Sequence, residues 1–132
     1  MSYRVLIADD SALIRHSVRA CIEQNTDWEV CGEAENGEVA VAKVKEKYPD
    51  LVILDFQMPV MNGFDAARLI ARIAPKTKMV MLTLHVCKQV VEEARAIGFT
   101  DVLSKCENVA DHLIASLKVL PPDLTADPPP TA

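Results

Sequence analysis

Residues 51–59 read Leu51-Val52-Ile53-Leu54-Asp55-Phe56-Gln57-Met58-Pro59. Four apolar side chains in a row show none of the polar–apolar alternation of a half-exposed strand, so this run fits a central strand covered on both faces. It ends on a carboxylate, and Pro59 with Asn62-Gly63 then marks a loop. A buried strand running into an acidic loop suits a parallel α/β sheet, whose ligand crevice lies beyond the carboxyl ends of the strands.

The same grammar repeats on either side. Val5-Leu6-Ile7-Ala8 reads as a strand that stops at Asp9-Asp10-Ser11, followed by a helix with Ile14, Val18, Cys21 and Ile22 on one face. Trp28 to Ala34 reads as a second strand, Asn36-Gly37 as a turn, and Val41, Val44 and Tyr48 as an apolar helix face. After the 51–54 strand come a helix with Ala66, Ile70 and Ile73 and a strand at Met79-Val80-Met81-Leu82. A helix with Val90, Ala94 and Ile97 stops at Gly98, and Asp101-Val102-Leu103-Ser104 is a short fifth strand. Val109, Leu113, Leu117 and Leu120 share a face of a last helix. Five strand–helix repeats with right-handed crossovers predict an α/β fold, flavodoxin-like and doubly wound, (βα)5, with a parallel five-stranded sheet in the order 2-1-3-4-5.

The chain has 132 residues, enough for one domain, and is 50% apolar and 25% charged, ordinary for a folded protein with one core. The folded unit is placed at 1–120. The tail 121–132 holds five of the eight prolines and is expected to be disordered or the stump of a linker. No apolar run approaches the roughly 20 residues that span a bilayer, and no cleavable leader is visible, so a cytoplasmic location is expected. A formal net charge of −5 argues against direct nucleic-acid binding by this chain. Cys21, Cys31, Cys87 and Cys106 have no metal-finger spacing and are read as reduced thiols, with Cys87 and Cys106 expected to be buried and inert.

The chemistry sits just after the strands. Asp9 and Asp10 follow the first, Asp55 the third, Thr83 the fourth and Lys105 the fifth. The topology brings all five to one edge of the sheet. Three carboxylates there repel one another, and a hard divalent cation such as Mg²⁺ removes the repulsion. A carboxylate can attack a phosphoryl group and form an aspartyl phosphate, with an ammonium and a hydroxyl to meet the transferred oxygens. Taken singly, each residue has a plainer reading: Asp9 or Asp10 as a helix cap, Asp55 as a loop carboxylate, Thr83 as a cap for the fourth helix. Their joint placement points to phosphoryl chemistry. His85 lies at the lip of this edge; His16 and His112 read as surface residues, and Lys43, Lys45 and Lys47 as a solvated face.

At these residues the sequence resembles the response-regulator receivers of two-component signalling across about residues 3–120. The resemblance rests on Val5–Ser11, Leu51–Gly63, Leu82-Thr83 and Leu103-Ser104-Lys105. It implies that Asp9 and Asp10 hold Mg²⁺, that Asp55 ligates it and is the phosphoacceptor, and that the backbone carbonyl of Gln57 is a further ligand. It implies that Thr83 and Lys105 contact the phosphate. Trp28–Val41 and Leu84-His85 further resemble the branch often linked to a LuxR-type helix-turn-helix output domain. Two positions depart from the family: Val102 replaces the usual aromatic, and Cys106 replaces a common proline. The implied partners are a histidine kinase as donor and, as reader of the surface around the fourth helix and fifth strand, a downstream protein, a DNA-binding output domain or a second copy of the chain. Leu84, His85 and Val102 are expected to modulate the switch. Such a chain is a signalling protein and not an enzyme, apart from its own phosphorylation and dephosphorylation. Three other readings fit less well, one of them a receiver that signals without phosphorylation, which the intact residue set disfavours. An aspartate-nucleophile phosphatase usually carries a second aspartate where Gln57 stands, and a flavodoxin-like cofactor binder would not place Asp9-Asp10 against a phosphate.

Overall fold

The computed structural model describes residues 3–84 and 86–104. Lys105, Cys106, His85, His112, the expected last helix and the proline-rich tail lie outside them. The elements run β1 (Arg4–Ala8), α1 (Ala12–Asn25), β2 (Glu29–Ala34), α2 (Gly37–Lys47), β3 (Leu51–Asp55), α3 (Gly63–Ile73), β4 (Lys78–Thr83), α4 (Lys88–Ile97) and β5 (Asp101–Ser104). All strand pairs are parallel and the sheet order is β2-β1-β3-β4-β5, as the repeats predict.

Period-two alternation divides the core. Leu6, Ala8, Val52, Leu54, Met79 and Met81 face the layer that includes Val44 of α2, Ile70 of α3 and Ala94 of α4. Val5, Ile7, Leu51, Ile53, Val80 and Leu82 face the other layer, with Val18, Cys21 and Ile22 of α1. Every residue of β3 is buried, which is why its sequence shows no alternation. Fully burying a side chain of this size contributes roughly 1.5–3 kcal/mol, and the central strand concentrates that gain.

Asparagine and serine set three helix starts. Ser11 Oγ accepts from Ile14 N–H, Asn36 Oδ1 from Val39 N–H and Asn62 Oδ1 from Asp65 N–H. Both Asn-Gly pairs are therefore an N-cap followed by the first helical residue, and Asn36-Gly37 is no free turn. Ser11, and neither Asp9 nor Asp10, caps α1, which releases both carboxylates from that duty. Cys87 and not Thr83 occupies the N-cap of α4, where its side chain makes no capping bond.

Two local readings need correction. Tyr48 is the C-cap of α2 at φ 44 and is 59% exposed, so it leaves the apolar face on which helical spacing placed it. Cys87 is exposed, because α4 starts one residue later and its first turn carries little buried surface. Cys21, Cys31 and Cys87 are free thiols, and burial pushes the Cys31 thiol above its usual pKa. No helix among the described residues is long and apolar enough to cross a membrane.

Candidate functional site

Strand register brings the acidic residues together. Ala8 pairs with Leu54 in the sheet, so Asp9 and Asp55 leave adjacent strands side by side. Asp9 is 0% and Asp55 2% exposed, while Asp10 is exposed. Asp9, Asp10 and Asp55 each offer a carboxylate oxygen, and these three oxygens lie within 4.8 Å of one another. Each strand-end carboxylate is fixed by an Asx-type turn: Ser11 N–H donates to Asp9 Oδ1 at 2.8 Å and Gln57 N–H to Asp55 Oδ1 at 3.2 Å. An all-oxygen, multiply anionic donor set on two rigid strands suits a hard divalent cation and offers nothing to a soft one.

Thr83 ends β4 and is 4% exposed; Phe56 N–H donates to Leu82 O at 2.9 Å, which ties the peptide after Asp55 to the one before Thr83. Thr83 pairs with Ser104, the residue before Lys105. The described residues thus place Asp9, Asp10, Asp55 and Thr83 at one sheet edge; Lys105 and His85 fall outside them. Leu84 is 61% exposed just beyond Thr83, and Val102 is half-buried against the core on the α3–α4 side of the sheet. Gln57 follows Asp55 in the same loop.

That loop is clamped between two helix starts. Gly63 N–H donates to Phe56 O at 2.9 Å, and Gly37 N–H to Met61 O at 3.1 Å. Both glycines sit too close to loop backbone for any larger residue. The Phe56 ring packs at a 60° tilt against Phe64, 4.8 Å between centroids, and Phe64 lies 6.4 Å from Phe99, so an aromatic row runs from the residue after Asp55 toward the chain leaving α4. Asn62-Gly63 is thus more than a loop mark; the sequence signal of the clamp is the repetition of the same Asn-Gly pair before two helices.

Between the clamps, Met61 N–H donates to Pro59 O at 2.7 Å and Val60 has φ 70. A bond spanning two residues around a positive φ is the rare, strained γ-turn, and a β-branched side chain is the costliest occupant. Val60 is also 75% exposed and so gains little by burial. Val60→Gly should therefore raise stability by about 0.5–1 kcal/mol, the relief of strain exceeding glycine's extra entropy cost. Urea midpoints check this; Val60→Pro, which cannot reach positive φ, should shift the midpoint the other way.

The sequence profile of the response regulator receiver domain matches residues 5–118. The chain belongs to the response regulator receiver family. The receiver is 41% identical over 105 residues to the chemotaxis protein CheY of Thermotoga maritima, covering 80% of this chain and 87% of that one. It is 32% identical over 130 residues to the transcriptional regulatory protein LnrK of Bacillus subtilis, covering 93% of this chain but only 59% of LnrK. The chain thus spans about three-fifths of that regulator's length. Among solved structures, a chain of the CheX–CheY–BeF3–Mg²⁺ complex of Borrelia burgdorferi superposes with a TM-score of 0.82 at 26% identity, covering 89% of the receiver and 88% of that chain. Receivers of this kind act as switches in two-component signalling.

Proposed function

We propose that this receiver is a phosphoryl-accepting switch in which Asp55 takes the phosphoryl group from a histidine kinase in a Mg²⁺-dependent reaction, in the cytoplasm. The observation that carries the reading is the buried Asp55 at the carboxyl end of β3 with oxygens of Asp9 and Asp10 within 4.8 Å. The metal would be held by the carboxylates of Asp9, Asp10 and Asp55 and by the Gln57 carbonyl. When bound, Mg²⁺ supplies positive charge for the phosphoryl oxygens and offsets the mutual repulsion of the carboxylates. The solved complex with BeF3 and Mg²⁺ belongs to a relative and supports the same pairing here.

The protein's own groups divide the remaining work. A carboxylate oxygen of Asp55 forms the new bond to phosphorus while the bond from phosphorus to the donor's nitrogen breaks. The Asx turn from Gln57 holds the carboxylate plane during that step. The Thr83 hydroxyl donates to a phosphoryl oxygen and the Lys105 ammonium pairs with another. Moving those two groups shifts the loop after β4 and the surface of α4 and β5, which a downstream protein, a DNA-binding output domain or a second copy then reads. Ala94 is the one fully buried residue of α4, so this element is loosely held and cheap to move. Leu84 and His85 modulate access from the β4 side. Val102 sweeps too little volume to act as a rotamer switch, which leaves backbone motion as the carrier.

The test is exposure of the full chain to phosphoramidate, a small P–N phosphodonor, with Mg²⁺ and, separately, with excess chelator. Intact mass should show a single phosphoryl addition in the first case and none in the second. Equal addition in both, or no addition with Mg²⁺, would remove the reading.

A further inference from the structure

Arg15 stands in the first turn of α1, where the helix dipole disfavours a cation and where the helix carries no acidic residue. Its position is offset by two contacts that reach back past the helix start. Nη1 donates to the backbone carbonyl of Asp9 at 2.6 Å, and Nε donates to Glu33 Oε1 on β2 at 3.0 Å. Glu33 is gripped a second time, by Arg19 Nη1 at 2.5 Å on Oε2. Burial raises the Glu33 pKa, but the hydrogen bonds and charges of Arg19 and Arg15 outweigh it and hold the carboxyl below its usual value. Next to Glu33, Ala34 O accepts Asp9 N–H at 3.0 Å.

Asp9 is thereby held on both sides of its α-carbon: its N–H is tied to β2 and its C=O to Arg15. The Asp9 carbonyl lies in the same rigid plane as the amide nitrogen of Asp10. Fixing that carbonyl fixes the rotation of the 9–10 peptide, and with it the directions in which both side chains leave the backbone. Asp10 is exposed, so burial does not hold it, and the peptide plane has the larger say in where it points.

We propose that Arg15 is a positioning residue for the cation site, locking the Asp9–Asp10 peptide so that both carboxylates meet Asp55, with Glu33 neutralising the guanidinium so that it does not oppose the cation. The inference rests on the reading of Asp9, Asp10 and Asp55 as cation ligands. Arg15 itself touches neither the cation nor the phosphoryl group. Its effect belongs with that of outer partners of metal ligands, whose loss typically weakens metal binding about 10–100-fold. Because it grips a carbonyl and not a carboxylate, the low end of that range is expected.

Mg²⁺ titration of the full chain, followed by amide shifts of Asp9 to Ser11 well below the melting temperature, tests this with wild type, Arg15→Ala, Arg15→Lys and Glu33→Gln. Arg15→Ala should bind Mg²⁺ about tenfold more weakly. Arg15→Lys, which can make one of the two contacts, should recover part of the loss. Glu33→Gln keeps an acceptor for Arg15 and should lose clearly less than Arg15→Ala. Unchanged affinity in Arg15→Ala, or in Arg15→Lys should the alanine variant fail to fold, would overturn the positioning role while leaving the cation site standing. Tighter Mg²⁺ binding by Arg15→Ala would overturn it in favour of a purely electrostatic effect, since removing a cation beside the site favours the metal. Absence of Mg²⁺ binding by wild type would overturn the site reading and this inference with it.

Discussion

Asp55→Asn should abolish labelling by phosphoramidate while leaving a folded protein. The amide has the size of the carboxylate and keeps an oxygen to accept the Gln57 N–H bond seen at 3.2 Å. The Asx turn and the path into the loop therefore persist. What disappears is the nucleophile: a neutral amide has no charged oxygen to attack phosphorus. Replacing one of three clustered carboxylates also lowers their mutual repulsion, so stability should move by no more than about 1 kcal/mol. Mg²⁺ affinity should fall because one anionic ligand is gone. Intact-mass measurement of both proteins, with peptide mapping of the wild-type adduct, reads the outcome. Comparable labelling of Asp55→Asn, or an adduct mapped to Asp9 or Asp10, would reassign the acceptor. The exposure of Asp10 makes it the more serious rival, since it is the ligand a donor reaches without entering the buried edge.

Much of this was legible because sheet period and strand ends report position directly. The unbroken apolar run 51–54 told of a strand covered on both faces, and every residue of β3 is buried. Asp9, Asp55 and Thr83 could be placed at one edge because each directly follows or ends an apolar strand, and a parallel sheet puts all such ends on the same side. Illegible were the features set by contacts between distant segments. Nothing local marks Arg15 as the partner of the Asp9 carbonyl, because the contact depends on Glu33 lying beside it across the sheet. The φ of Val60 is imposed by the γ-turn and the two clamps around it, against the preference of valine itself. Tyr48 was misplaced because helical spacing cannot show where the helix ends, and the left-handed cap turns its ring outward.

Gly63→Ala should produce the largest combined loss of stability and labelling outside the acidic residues themselves. A Cβ built at Gly63 would lie 2.4 Å from the Asp55 carbonyl oxygen and 3.1 Å from the Phe56 Cα. Both are backbone atoms, so no rotamer change removes the clash; α3 or the end of β3 must move. Strand β3 is locked by neighbours on both sides, and the Gly63 N–H bond to Phe56 O ties the helix to the same loop. The cost should be about 2–3 kcal/mol, the upper range for overpacking against rigid surroundings. Displacing the Asp55 peptide also turns its carboxylate away from Asp9. A misplacement approaching 1 Å typically costs about 100-fold in rate, so labelling should slow by one to two orders of magnitude even at temperatures where the variant is folded. Gly37→Ala is the informative control. Its Cβ would lie 2.2 Å from Met61 O, a clash of the same severity at the far end of the loop, with no direct contact to Asp55. It should lower the melting temperature comparably and slow labelling much less. Thermal melts beside labelling rates separate the two effects. Equal slowing in both variants would show that loop rigidity as a whole, and not the seating of Asp55 on Gly63, sets the rate.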